Sequence, residues 1–385
     1  MLIGLPALES TDWSKLHHAY GRAMDTPNHL RALLKEDLKS RQKAMEHLWS
    51  AIIHQGTPWT ATGPAALVVA GLLSDERIDR GEPIRANLLS FLVRVAEAPD
   101  QAGWSIEELE RWAAFDIESL INSEDDEALY GNEDAANSFY ARSILGCIQI
   151  APVLMEVMLK GLEDQSPRVR ACAAMGAVTL AKTEPLRKHE KEIEGRLLAL
   201  ADAAQNPDER SSLVLALGDL GYSPISFLRD SSPAVRMCAA LAPSLATERA
   251  AINELLNALE HHVGEIDGWF VETPPQFEMR PRFSVVRRLI EQVKDFDRLV
   301  DAGIAVASIT AKYCVDYDWG PLLAAAFPGG RGTIKTEAQR RFLNALVKKS
   351  ELWDPTFGNA HNWFSRAGLP YDRKECGELV RKIQE

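Results

Sequence analysis

The chain has no run of about 18 uninterrupted apolar residues, the length a membrane-spanning helix needs. Its start, Met1-Leu2-Ile3-Gly4-Leu5-Pro6, has no basic residues and no long apolar stretch, so a secretory signal is not expected. Cys-x-x-Cys pairs are also missing. The five cysteines, Cys147, Cys172, Cys238, Cys314 and Cys376, are odd in number and scattered, which argues against a zinc ligand set and for free thiols in a reducing cytosol. Alternating β-branched runs between tight turns are nearly absent, which excludes a sheet-based fold.

Several catalytic signatures are absent too. No Gly-x-Ser-x-Gly marks a hydrolase nucleophile, and no His-Glu-x-x-His marks a zinc protease. Gly329-Gly330-Arg331-Gly332-Thr333 lacks the Lys-Ser/Thr of a phosphate-binding loop, so Phe327-Pro328-Gly329-Gly330 reads as a connection between helices. His17-His18 and His261-His262 are adjacent pairs, and neighbours on a helix point about 100° apart, so each makes a poor chelate. His47 and His54 stand two helical turns apart and would share a face, with Glu46 pointing elsewhere. The expectation is no metal, no cofactor and no catalytic residue.

What is present is a repeat. Leu162-Glu163-Asp164-Gln165-Ser166-Pro167-Arg168-Val169-Arg170-Ala171-Cys172-Ala173-Ala174 returns from Leu228 to Ala240 with nine of thirteen positions identical. Self-similarity of this kind marks stacked repeats, whose usual work is to present a long binding surface. In each copy the Ser (Ser166, Ser232) is placed to cap a helix and the Pro (Pro167, Pro233) sits at its first position. Val169, Cys172, Ala173, Gly176, Ala177 and Leu180 then fall on one apolar face, as do Val235, Cys238, Ala239, Ala242 and Leu245. The equivalent cysteines read as core packing. Asn206-Pro207 starts a related helix, and Ser105 to Glu108 and Thr336 to Gln339 each spell a capping box. The fold class expected is all-α, a solenoid of stacked antiparallel helix pairs.

This region resembles the HEAT-repeat family, on the strength of Asp-x-Ser-Pro-x-Val-Arg at Asp164 to Arg170 and at Asp230 to Arg236. The resemblance implies that Asp164, Arg170, Asp230 and Arg236 make structural polar contacts between repeats. Weaker copies are read at 30–75 and 74–98. The segment His54 to Thr62 looks like a motif of bacterial HEAT-repeat proteins, and the region from Gln339 through Leu352-Trp353 to Gly368-Leu369-Pro370 looks like their tail. The expected division is 1–100, degenerate helices; 101–150, an acidic helical segment; 151–263, clear repeats; and 264–385, an aromatic loop with capping helices, all in one continuous stack.

Two segments break the repetition. From Gln101 to Asp134 eleven acids face only Arg111, so most of the net charge of −12 sits there. Such a window argues against nucleic acid and fits a solvated face or a docking strip for a basic protein. Glu124, Asp125, Asp126, Glu127, Glu133 and Asp134 are its candidate contacts. Asp267 to Phe283 has no helical period and carries Trp269, Phe270, Phe277, Arg280 and Arg282, residue types that anchor interfaces.

The function expected is non-catalytic protein binding. One version is an immunity protein masking a basic toxin. Two enzymatic readings follow from the resemblance alone. Some HEAT-repeat glycosylases cradle DNA on a basic surface; Arg280, Arg282, Arg287, Arg288, Lys335, Arg340 and Arg341 are the residues to carry it, although the total charge is acidic. Some HEAT-repeat hydroxylases hold iron between several His-Glu dipeptides, and only His189-Glu190 occurs here.

Overall fold

A computed structural model describes residues 1–79, 84–122 and 131–382. They form nineteen α-helices and two hairpins of two-residue strands. The all-α expectation therefore holds, with a small exception near the N-terminus. The chain divides into two compact units, Met1–Leu197 and Leu198–Glu385. That boundary falls within the segment 151–263 taken above as one block.

In the first unit, α1 (Leu5–Ser10) lies on α4 (Thr62–Leu72), and α2 (Thr26–Ala32) packs on α3 (Leu38–His47). The close approach of α1 to α4 depends on glycine: a Cβ on Gly71 would stand 2.2 Å from the Gly4 nitrogen. At the unit's centre is α8 (Glu133–Gly161), packed by α4, α5 (Arg85–Gln101), α6 (Ile106–Ala113) and α9 (Pro167–Ala181). By length and composition alone α8 is apolar enough to cross a membrane. Phe139, Ile144, Leu154 and Met158 are buried on this helix, and a third of its most apolar 18-residue stretch is buried.

The acidic window is partly described. Its short helix α7 spans Glu118–Asn122. Glu107 and Glu108 lie in the first turn of α6, where the Ser105–Glu108 capping box forms. Glu133 and Asp134 open α8 behind an Asn132 cap. Carboxylates at helix N-termini are stabilised by the unpaired N–H groups and the helix dipole, so these acids have a local structural explanation. Glu124, Asp125, Asp126 and Glu127 lie outside the described residues.

Helix α10 (Glu190–Ala203) carries the boundary between the units. The second unit continues through α11 (Pro207–Asp219), α12 (Pro233–Ala240), α13 (Arg249–His262), α14 (Pro281–Gln292), α15 (Val300–Ile309), α16 (Trp319–Ala326), α17 (Glu337–Lys348), α18 (Gly358–Ala367) and α19 (Arg373–Arg381). Packing here is orderly. Helices α13, α15, α17 and α19 touch in series, α14, α16 and α18 touch in a second series, and α13–α14, α15–α16 and α16–α17 join the two. The buried aromatics Trp319, Phe342 and Phe364 come from α16, α17 and α18. The second capping box, Thr336 to Gln339, forms at the start of α17.

Candidate functional site

The repeated motif builds the same turn twice. Asp164 Oδ1 accepts the Ser166 N–H at 2.8 Å, and Asp230 Oδ1 accepts the Ser232 N–H at 2.8 Å. The other carboxylate oxygen takes an arginine from a preceding helix, Arg85 on Asp164 and Arg210 on Asp230, each at 2.8 Å. Arg170 closes the first turn by donating to the carbonyls of Asp164 and Gln165; Arg236 does the same with Asp230 and Ser231. One expectation needs correction. Ser166 and Ser232 occupy the N-cap position, but neither side chain makes a capping hydrogen bond. The aspartate two residues earlier closes the turn in their place, leaving the serine to supply its backbone N–H. Cys172 and Cys238 are buried in equivalent positions, and burial pushes the Cys238 thiol well above its usual range.

The aromatic loop folds onto the second unit. Phe270 is buried and packs on Phe277. Gln276 Oε1 accepts from Ser212 Oγ at 2.9 Å and its Nε2 donates to the Ser212 carbonyl at 2.9 Å, while the Glu272 N–H donates to Asp208 at 2.7 Å. Arg282 is only 3% exposed and pairs with Asp267 and with Asp318. Phe270 and Arg282 are therefore interior residues, and their reading as partner contacts is corrected: the burial of an aromatic ring and a paired guanidinium anchors the loop. Trp269 and Phe277 are half-buried, and Arg280 is exposed beside Asp267. Val271 is 97% exposed, and Met279 is exposed with it.

Most of the proposed basic cluster is paired. Arg280 and Arg282 face Asp267, Arg288 faces Glu291, Arg340 faces Glu337 and Arg341 faces Asp301. Such pairing cancels much of the field that would attract phosphate.

A second constellation, unforeseen from the sequence, lies in the first unit. His17-His18 form a strand, not a helix, paired with Gly21-Arg22, and Ile53-His54 pair with Thr57-Pro58. Positive φ at Gly21 and Gly56 lets both chains reverse tightly. The hairpins are tied together: Ala19 N–H donates to the Ala51 carbonyl at 3.0 Å, and Ala61 N–H to the His17 carbonyl at 3.0 Å. The strands are too short to leave a period in the sequence, and the helical argument against adjacent histidines does not apply to them. His47 ends α3 while His54 follows a π-helical turn, so these two do not share a helix face.

This arrangement gathers His18, Asp25 and His47, with one ligand atom from each lying within 4.8 Å of the others. His18 Nε2 is 2.9 Å from Asp25 Oδ1, and the Tyr20 N–H points at His18 Nδ1 from 3.1 Å. His47 Nε2 is 2.9 Å from Thr26 Oγ1. The His18 and His47 rings meet edge to face, and His29 stacks flat on His47 with centroids 4.1 Å apart. His18 and His47 are buried, whereas the Asp25 side chain is 56% exposed and opens the cluster to solvent. Burial, with the neighbouring His29 and His18, depresses His47 to about 4. Burial pulls Asp25 upward, but the His18 hydrogen bond and the His47 and His18 charges outweigh it and hold the carboxyl below its ordinary range. Among the described residues this is the one group of three or more such side chains with the donor types and spacing for a metal ion.

Comparison with protein-family models, with curated proteins and with solved structures gives no match. The functional reading rests on the chain's own geometry.

Proposed function

We propose that this chain is a non-catalytic, HEAT-type stacked-helix protein that binds another protein through the 267–280 loop. The observation that carries the reading is the loop's two-sided construction. Its inner side is fixed by Phe270, Gln276 and Arg282, while Val271 and Met279 are exposed and Trp269 is half-exposed. Exposed apolar side chains on a well-tied irregular loop add little to folding and suit a preorganised contact, because ordering has been settled before the partner arrives. Glu272 and Glu278 are exposed on the same loop, which favours a partner with apolar and basic groups. The alternating helix series α13–α15–α17–α19 and α14–α16–α18 supports the stacked-pair reading.

The test compares the wild-type chain with a Trp269→Ala/Val271→Ser/Met279→Ser variant in affinity capture, followed by direct titration of each purified captured protein. The reading expects at least one protein to bind the wild type and to lose about tenfold or more in the variant, with the circular dichroism of both unchanged. Equal affinities for every captured protein would remove the loop from the argument.

A further inference from the structure

We propose that His18 Nε2, His47 Nε2 and one Asp25 oxygen form a site for a single divalent transition-metal ion, of the class of Zn2+ or Co2+, with an open position toward solvent. One ligand atom from each of the three residues already lies within 4.8 Å of the others, and His18 Nε2 is 2.9 Å from Asp25 Oδ1. Tetrahedral donors about 2.0–2.1 Å from a zinc ion stand about 3.4 Å apart, so small side-chain movements suffice. The ring planes of His18 and His47 are 83° apart with centroids 5.2 Å apart, so the two imidazoles meet edge to face and are not stacked. The His29 and His47 rings are parallel and stacked, so their lone pairs run side by side. His29 is therefore a supporting residue: it covers the His47 ring, and its Nε2 lies 3.9 Å from Asp25 Oδ2. Two imidazoles and one carboxylate match borderline-soft transition metals, whereas calcium and magnesium favour oxygen donors throughout.

The protons balance as follows. The Tyr20 N–H occupies His18 Nδ1, so the ring proton sits on Nε2 and is donated to Asp25. Metal binding takes the Nε2 lone pair; that proton leaves to solvent, and Nδ1 takes one up to keep the imidazole neutral. The Tyr20 N–H must then turn away. Tyr20 is 68% exposed on the hairpin tip with its ring edge-on to His18 and His54, so the turn shifts only those two ring contacts. Thr26 Oγ1, now on His47 Nε2, also swings off and becomes free to hold a water in the open position. Burying two imidazoles costs free energy in a helical core, and a metal ion would return it as binding energy.

The experiment uses the full chain, stripped with chelator and titrated with Co2+ and then Zn2+. Visible cobalt absorption, elemental stoichiometry and the Tyr20 amide signal are followed together. The proposal expects one ion per chain, cobalt displaced by zinc, and a shifted Tyr20 amide. Asp25→Asn and His47→Gln should each weaken binding by at least about tenfold, and a His261→Gln/His262→Gln variant should bind as the wild type. Asp25 is exposed, so Asp25→Asn remains decisive if His47→Gln does not fold. Absence of cobalt binding, retained affinity in Asp25→Asn, or loss only in the His261/His262 variant would each overturn the proposal.

Discussion

Asp318 offers a sharp test of how the second unit is held together. It caps α16, with no exposed surface, and its carboxyl accepts the Thr310 hydroxyl at 2.9 Å and the Trp319 N–H at 2.5 Å. Arg282 Nη2 is 3.6 Å away. Burial raises the carboxyl while the N–H, the hydroxyl and the arginine lower it; burial wins, and the group is pushed up to about 6 from 3.8. A carboxyl with a raised folded-state pKa binds its proton more tightly folded than unfolded. Its contribution is therefore fully present well below about pH 4 and is lost as the pH rises through about 6. A displacement of about two units corresponds to about 3 kcal/mol. Asp318→Asn keeps the shape and removes the titration. Hydrogen exchange of the α16 amides, corrected for intrinsic rates from pH 4 to 7.5, reads the local opening free energy in each protein. The expected result is a wild-type-minus-variant difference that falls by about 2–2.5 kcal/mol over that range, part of the contribution being already lost at pH 4. A flat difference, or one that rises with pH, would mean that Arg282 and the two donors dominate and that Asp318 is an ordinary ion-paired carboxylate.

Other outcomes follow from the same contacts. Asp164→Ala and Asp230→Ala each remove the acceptor of a turn N–H and the partner of a part-buried arginine. Each should lower urea-unfolding stability by about 2–3 kcal/mol, and costs below about 0.5 kcal/mol in both would refute the shared-turn account. Gly71→Ala places a methyl group against the Gly4 backbone and should loosen α1 by more than about 2 kcal/mol, detectable as lost exchange protection at residues 5–10. Gly195→Ala, in exposed helix with nothing within 4 Å, should instead raise the melting temperature, worth about 0.5–1 kcal/mol. Native alkylation read by mass spectrometry should label Cys314 first. Cys147 and Cys376 are buried and pushed up to about 12, and equal labelling would contradict that burial.

Helices were readable in the sequence because their signals are local. Ser105 to Glu108 and Thr336 to Gln339 form the capping boxes their spacing predicts, and the side chain of Asn206 caps α11. The duplicated turn was readable too, although its closing group is Asp, where the sequence pointed to Ser. The histidine cluster was not readable. His18 sits on a hairpin whose strands have two residues each, too few to show a period of two, and His47 meets it from the far end of α3, 29 positions away. The loop's two sides were equally hidden, since nothing local distinguishes buried Phe270 from its exposed neighbour Val271. Which of two adjacent apolar residues turns inward is decided by the fold around them.

The residues that the scaffold explains and those that it does not separate cleanly. Asp164, Arg170, Asp230 and Arg236 close two matching turns, and Arg236 also pairs with Glu254, so changing them should cost stability before it alters any partner. Val271 is the opposite case. With almost its whole side chain in water, it gains no burial from folding, and Val271→Ser should move the unfolding free energy by less than about 0.5 kcal/mol. An affinity loss in that variant without a stability loss would assign the side chain to recognition. A stability loss of more than about 1 kcal/mol would instead show that Val271 is covered in the folded chain, and the loop would lose its standing as a contact surface.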